Sequence, residues 1–171
     1  MATSTQQEAI TPIIPLTLAD VRQAAANGRS EVVRRAIEQG LDVATPDAEG
    51  VTALMLAGFY GHTETARLLL VDKQNLKAKD KTGRNALMYA ASGPNDETVR
   101  FLLESGAEVN AADNVEGFTA LMFAAAEGHL EIVRMLLERD ANRNAKDVDG
   151  DTAVTFAREN NHRAVVELLS K

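Results

Sequence analysis

With 171 residues, of which 45% are apolar and 25% charged, the chain has the composition of a folded protein rather than of a disordered tail. A net charge of -7 and a pI near 5 argue against nucleic-acid binding, because phosphate backbones attract a basic surface. The chain has no cysteine, which excludes disulfides and thiolate chemistry and leaves the redox compartment open.

The N-terminal residues 1–16 predict neither a signal peptide nor a membrane anchor. They carry no Lys or Arg before their apolar residues and no uninterrupted apolar run, and no later stretch is long and apolar enough to span a membrane. We expect a flexible segment of a cytoplasmic protein without membrane contact. A mature secreted or periplasmic form is compatible with the same sequence.

The first predicted helix begins at Thr17, where "TLAD" has the pattern of an N-capped helix start. A shift of 33 residues aligns the following stretch with later parts of the chain and places Gly28 on Gly61. Residues 17–46 are therefore predicted to be a degenerate first copy of a repeat, which caps the N-terminal end.

The later copies are marked by glycines 50, 83, 117 and 150, which are 33, 34 and 33 residues apart. Two residues beyond each glycine stands a Thr or Asn, the residue types that cap helices, followed by an apolar run such as "ALMLAGFYG". A second helix with apolar residues at helical spacing follows, as in "TETARLLL" and "LEIVRMLL".

Each copy is therefore predicted to be a unit of helix, turn, helix and extended loop. One helix pair cannot bury its own apolar face, so adjacent units must stack to share a core. The period divides the chain into five units: 17–46, 47–79, 80–112, 113–146 and 147–171.

The repeat resembles the ankyrin repeat, whose signature is D-x-x-G-x-T-P-L-H-x-A-A-x-x-G-H. "DAEGVTALMLAGFYGH" at 47–62 matches it, and "DNVEGFTALMFAAAEGH" at 113–129 matches it with one insertion. The resemblance covers residues 17–171. It implies an all-α solenoid of stacked helix-turn-helix units with short β-hairpin or extended loops. It also implies that the first helices line a concave side, and that the protein binds other proteins without catalysis.

Three departures from the signature carry structural expectations. An Ala replaces the family's Pro, and the family's His is replaced by Met55, Met88, Met122 and Thr155. We expect Met to contribute apolar contact only, so that the polar ties between neighbouring loops are weakened or rerouted. In "VDKQNLK", Lys73 and Lys77 replace the residues found as Gly106 and Asn110, which predicts a strained or differently shaped loop. The insertion in "DNVEG" predicts a longer finger.

No residue set predicts a metal site, a cofactor or an enzyme. His62, His129 and His162 occupy one repeat position, too far apart to share a zinc ion. Residues 140–151 resemble a calcium loop, but Ala145 replaces the required Gly and an Asp replaces the bidentate Glu. Four Glu–Arg pairs at i,i+3 spacing fit a solvated outer helix face: Glu31–Arg34, Glu64–Arg67, Glu97–Arg100 and Glu131–Arg134.

Candidate partner-binding residues stand at the register positions that vary within the family. They are Val51, Phe59, Tyr60, Lys81, Arg84, Phe118, Glu127, Asp149 and Asp151. Aromatic side chains thus lie on either side of a basic finger, and we expect Phe59, Tyr60, Arg84 and Phe118 to anchor a partner. The alternative is that Phe59 or Phe118 packs between repeats. Core packing is predicted for Tyr89, Phe101, Phe123 and Phe156.

Two functions remain open from the sequence. The first is a monomeric, non-catalytic module that binds a protein or peptide through its concave face. The alternative is a stabilising accessory or self-associating module whose partner is another copy of itself.

Overall fold

The computed structural model describes residues 15–71 and 74–171. Most of the predicted flexible segment, residues 1–14, and Lys73 of the irregular loop lie outside the described residues. The described chain is helical, with one isolated antiparallel bridge between Ala112 and Thr119 and no strand within these ranges. The helices are α1 (Leu18–Ala26), α2 (Ser30–Glu38), α3 (Ala53–Phe59), α4 (Thr63–Leu69), α5 (Gln74–Lys77), α6 (Ala86–Ala91), α7 (Asp96–Glu104), α8 (Ala120–Glu127), α9 (Leu130–Leu137), α10 (Ala153–Glu159) and α11 (Arg163–Leu169).

Ten of these helices form five helix-turn-helix pairs, and the pairs stack in chain order. The first helices α1, α3, α6, α8 and α10 pack on one another, and the second helices α2, α4, α7, α9 and α11 form a parallel layer. The predicted all-α repeat solenoid is confirmed. Each pair falls within one of the five units proposed from the sequence.

The first helices contact one another more extensively than the second helices do. Alanines at their contacts, such as Ala57, Ala90 and Ala124, are fully buried and allow the helix axes to approach closely. The second helices bury leucines such as Leu69 and Leu102. Closer contact among the first helices than among the second helices is the packing expected of a stack that curves with its first helices on the concave side.

The predicted N-cap bonds are present at α1, α3, α6 and α8, whereas at α10 the Thr152 side chain makes no cap hydrogen bond to the backbone. The side chains of Thr17, Thr52, Asn85 and Thr119 each accept a hydrogen bond from the backbone N–H three residues later, at 3.0–3.3 Å. These bonds satisfy donors that the first turn of a helix leaves free.

The expectation that Met contributes apolar contact only is wrong for Met55 and Met122. Met55, Met88 and Met122 are fully buried, but the N–H of Thr52 donates to Sδ of Met55 at 3.4 Å, and Thr119 donates to Met122 in the same way at 3.5 Å. The unbranched thioether folds back over the helix start, where sulfur serves as a weak acceptor. Met55 and Met122 therefore each complete a capping box with Thr52 and Thr119.

Between the units run the fingers, which we number by unit: finger 2 (47–51), finger 3 (80–84), finger 4 (113–118) and finger 5 (147–151). Neighbouring fingers are tied by single main-chain hydrogen bonds. The N–H groups of Lys81, Asn114 and Val148 donate to the carbonyls of Glu49, Thr82 and Glu116 at 2.7–2.9 Å. Finger 4 closes from Asp113 N–H to the carbonyl of Phe118, one residue more than the others, which confirms the predicted longer finger.

The irregular loop differs from its counterpart in the third unit. Residues 74–77 form an extra helical turn, with Leu76 buried and the Asn75 side chain donating to the carbonyl of Leu69 at 2.6 Å. In the third unit, Asn110 instead joins the next unit, accepting from the N–H of Asn142 and donating to the carbonyl of Asp140. The described part of the irregular loop thus has the different shape that its sequence predicted.

The repeated histidine position joins successive units. Nε2 of His62 lies 3.1 Å from the carbonyl of Ala26, and Nε2 of His162 lies 2.9 Å from that of Ala126. Asn95 takes the same place in the third unit and donates to the carbonyl of Phe59 at 2.8 Å. His62 and His162 therefore have a structural role, as does Asn95, which stands where units 2, 4 and 5 have His.

Candidate interaction surface

A row of large side chains follows the concave side, one from each first helix of units 2 to 5. Its members are Leu56, Tyr89, Phe123 and Phe156, which directly follow the Met or Thr of the repeated tetrapeptide. Each packs against the core but stays half-buried. The packing predicted for the three aromatic members is confirmed, and the structure adds that each also presents part of its ring to the concave surface.

Phe59 and Tyr60 are the exposed aromatic residues of this surface, with 43% and 53% of their area accessible. Their rings meet edge to face at 90°, with centroids 5.0 Å apart. The Phe59 ring also lies 6.3 Å from that of Tyr89. We call Phe59, Tyr60 and Tyr89 the aromatic patch.

Tyr89 is held in place by finger 3. Its hydroxyl donates to Oδ2 of Asp80 at 2.8 Å, while Oδ1 of Asp80 accepts the N–H groups of Thr82 and Arg84 at 2.8 and 2.9 Å. Burial and this hydrogen bond raise the pKa of Tyr89 to about 12. Burial also raises the pKa of Asp80, but its hydrogen-bond donors outweigh this effect and leave it lowered. One face of the aromatic patch is thus fixed by a carboxylate.

Arg84 has structural partners on both sides of its guanidinium group. Its Nε lies 3.4 Å from Oδ2 of Asp113, whose side chain is fully buried, and its Cζ lies 4.9 Å from the centroid of Phe123. The Asp113 carboxylate also accepts the N–H groups of Glu116 and Gly117, both at 2.9 Å. Burial raises the pKa of Asp113, whereas these donors lower it and prevail. Arg84 therefore links fingers 3 and 4.

Phe118 lies between two rings of the aromatic row. Its centroid is 5.5 Å from that of Phe123 and 5.0 Å from that of Phe156, both near edge to face. The side chain is half-buried and packs against the core. The packing alternative raised from the sequence describes Phe118, whereas the exposed Phe59 does not fit it.

The other sequence candidates differ in accessibility. Val51 is half-buried and packs against the core, and Lys81 is exposed but pairs with Glu49, with Nζ and Oε1 3.1 Å apart. Glu127 and Asp149 are exposed and Asp151 is half-buried, and none of the three forms an ion pair within the described chain. The two charged groups of finger 3 are thus paired with neighbouring carboxylates, whereas Glu127, Asp149 and Asp151 of units 4 and 5 are not paired within the described chain.

Two of the four predicted Glu–Arg pairs form, Arg34–Glu31 at 3.6 Å and Arg134–Glu131 at 3.4 Å. The guanidinium of Arg67 instead covers the half-buried ring of Phe101, 4.7 Å from its centroid. This second-helix face is polar and solvated. Among residues 15–71 and 74–171, no group of three or more His, Cys, Asp or Glu side chains is placed to hold a metal ion. No helix in these ranges has the length and apolar character needed to cross a bilayer.

Sequence comparison identifies the repeat. The family model "Ankyrin repeats (3 copies)" matches residues 21–113 and 111–171. No curated protein matches the chain with significant similarity. Ankyrin repeats generally mediate protein–protein interaction and are typically non-catalytic. The chain, which stacks five helix pairs within its described residues, belongs to the ankyrin repeat family.

Proposed function

We propose that the protein binds another protein, or an extended peptide, through the concave surface formed by its first helices and fingers. The observation that carries this proposal is the aromatic patch, where Phe59 and Tyr60 are exposed beside the half-buried Tyr89. Exposed aromatic side chains lose contact with water when a partner covers them, and they are over-represented among the residues that dominate binding energy.

The fixed geometry of the patch supports the same function. Phe59 contacts two rings edge to face, and the Tyr89 hydroxyl is bonded to Asp80. Side chains that are already ordered lose less conformational entropy on binding than free ones. The role we propose is non-catalytic and requires no cofactor.

Partner capture from the native host tests the proposal. Phe59→Ala/Tyr60→Ala should reduce recovery of bound partners at least about tenfold, because aromatic anchors carry much of an interface's binding energy. Ile37→Ala is the matched control, since Ile37 is an exposed apolar residue on second helix α2. Equal recovery by the wild type and the double variant would contradict the proposal.

Light scattering over a concentration series separates this function from self-association. We expect a monomer at every concentration, since the proposed partner is a different chain. A stable oligomer that Phe59→Ala/Tyr60→Ala disperses, but Ile37→Ala does not, would assign the surface to self-assembly instead.

A further inference from the structure

The charges around the aromatic patch indicate what kind of segment it takes, an inference that rests on the proposed function. Phe59 and Tyr60 end the first helix of unit 2, and the same register positions in unit 3 hold only Ser92 and Gly93. At these two positions unit 3 therefore adds no large side chain, and it contacts the Phe59 ring through Tyr89, which meets that ring edge to face. The patch is open toward units 3 to 5 and can accept one bulky apolar side chain of a partner.

The positive charges next to the patch are already paired. Lys81 is bound to Glu49, and Arg84 is bound to the buried carboxylate of Asp113 while stacking on Phe123. An acidic partner would have to compete with these contacts. Finger 3 therefore offers little attraction for negative charge.

The concave surface of units 4 and 5, away from the aromatic patch, is acidic and carries carboxylates without ion pairs among the described residues. Residues 113–171 contain eleven Asp and Glu but only seven Lys and Arg, whereas residues 15–79 contain eight of each sign. On the concave side of units 4 and 5, Glu127, Asp149 and Asp151 form no ion pair within the described chain. This asymmetry complements a positively charged ligand.

We propose that the concave surface binds an extended basic segment, with one bulky apolar residue on the aromatic patch and Lys or Arg residues facing units 4 and 5. Packed helices lie about 8–10 Å apart, so α8 and α10 lie about 16–30 Å from α3. An extended chain advances about 3.3 Å per residue. The basic residues of the ligand therefore stand about five to nine positions from its apolar anchor.

Selection from a displayed library of random twelve-residue peptides tests this inference, followed by affinity measurement of synthetic copies by fluorescence polarisation. Enriched peptides should share a bulky apolar residue and Lys or Arg about five to nine positions away. Glu127→Gln/Asp149→Asn/Asp151→Asn should weaken their binding about tenfold. It should also reduce the loss of affinity with added salt, because fewer charge pairs remain to be screened.

The matched control is Glu64→Gln/Glu97→Gln/Glu167→Gln, which removes the same charge from the second helices and should leave affinity nearly unchanged. Far-UV circular dichroism confirms that each variant is folded. Peptides that need Phe59 and Tyr60 but bind the acidic-site variant as well as the wild type would overturn the inference and leave the proposed function standing. Peptides that bind Phe59→Ala/Tyr60→Ala undiminished would overturn both.

Discussion

Gly28 and Gly40 flank α2 and offer a matched pair of alanine substitutions. Both have positive φ, 67° and 77°, a region where alanine costs about 1–2 kcal/mol relative to its preferred conformation. A Cβ added to Gly28 would lie 2.7 Å from Nδ1 of His62, whereas one added to Gly40 would meet no atom within 4 Å. The two substitutions share the backbone cost and differ in the contact with the His62 ring.

The contact at Gly28 is too short to persist, so the His62 ring must move. Its Nε2 then leaves the carbonyl of Ala26, which costs about 0.5–1.5 kcal/mol, and repacking around the added methyl costs about 1–3 kcal/mol. We expect Gly40→Ala to lower the free energy of unfolding by about 1 kcal/mol. Gly28→Ala should lower it by about 3 kcal/mol.

Urea unfolding followed by far-UV circular dichroism measures both losses, with the m-value compared to confirm that the same surface unfolds. His62→Ala removes the ring, so in that background Gly28→Ala should cost no more than Gly40→Ala does in the wild type. Equal losses for the two glycine variants would refute the steric argument. So would a loss at Gly28 that the His62→Ala background leaves unchanged.

Two further predictions concern the carboxylates of the fingers. In a Tyr60→Phe variant, the tyrosinate absorbance of Tyr89 should rise with a midpoint near pH 12, and adding Asp80→Asn should lower that midpoint. A midpoint of 10.0 in the single variant would contradict the hydrogen bond between Tyr89 and Asp80. The folded state holds the phenolic proton of Tyr89 more tightly than the unfolded state does. The contribution of Tyr89 to the free energy of unfolding is therefore present below pH 10.0 and is lost as the pH rises toward 12. For Asp113, whose pKa is lowered from 3.8, the contribution is present above that pH and lost as the pH falls through the lowered pKa. Asp113→Asn should therefore lower the free energy of unfolding by about 2 kcal/mol at neutral pH, and the free energy of unfolding of the variant should fall less steeply in acid than that of the wild type. Urea unfolding over a pH series measures both effects, with Asp147→Asn as the control. Parallel pH profiles for the wild type and Asp113→Asn would contradict this prediction.

The units and their helices follow from the sequence because the features that define them are local. A Thr or Asn before an apolar run caps a helix through a bond to a residue three positions away, as at Thr52 and Asn85. The stacking follows from the period, since every unit exposes the same apolar face to the next. The exposure of Phe59 and Tyr60 is also predictable, because they stand at the end of a helix, beyond the buried stripe.

The ion pairs of the charged residues and the packing of the half-buried residues follow only from the tertiary structure. The sequence gives no partner for Arg84, but in the structure Arg84 pairs with Asp113, 29 residues away, and stacks on Phe123. Phe118 packs between two rings from different units. Local spacing cannot specify such contacts, because they depend on which rotamers meet when the units stack.

Sequence alone thus determined the repeat, its helices and the row of positions from which we propose that a partner is contacted. Tertiary structure decided which of those positions are available. Stacking pairs Lys81 and Arg84 with carboxylates and buries much of Phe118, whereas it leaves the aromatic patch open in unit 2 and Glu127, Asp149 and Asp151 of units 4 and 5 without ion pairs within the described chain. The physical reason is that secondary structure follows from interactions over a few residues, whereas charge pairing and exposure follow from neighbours a full repeat away.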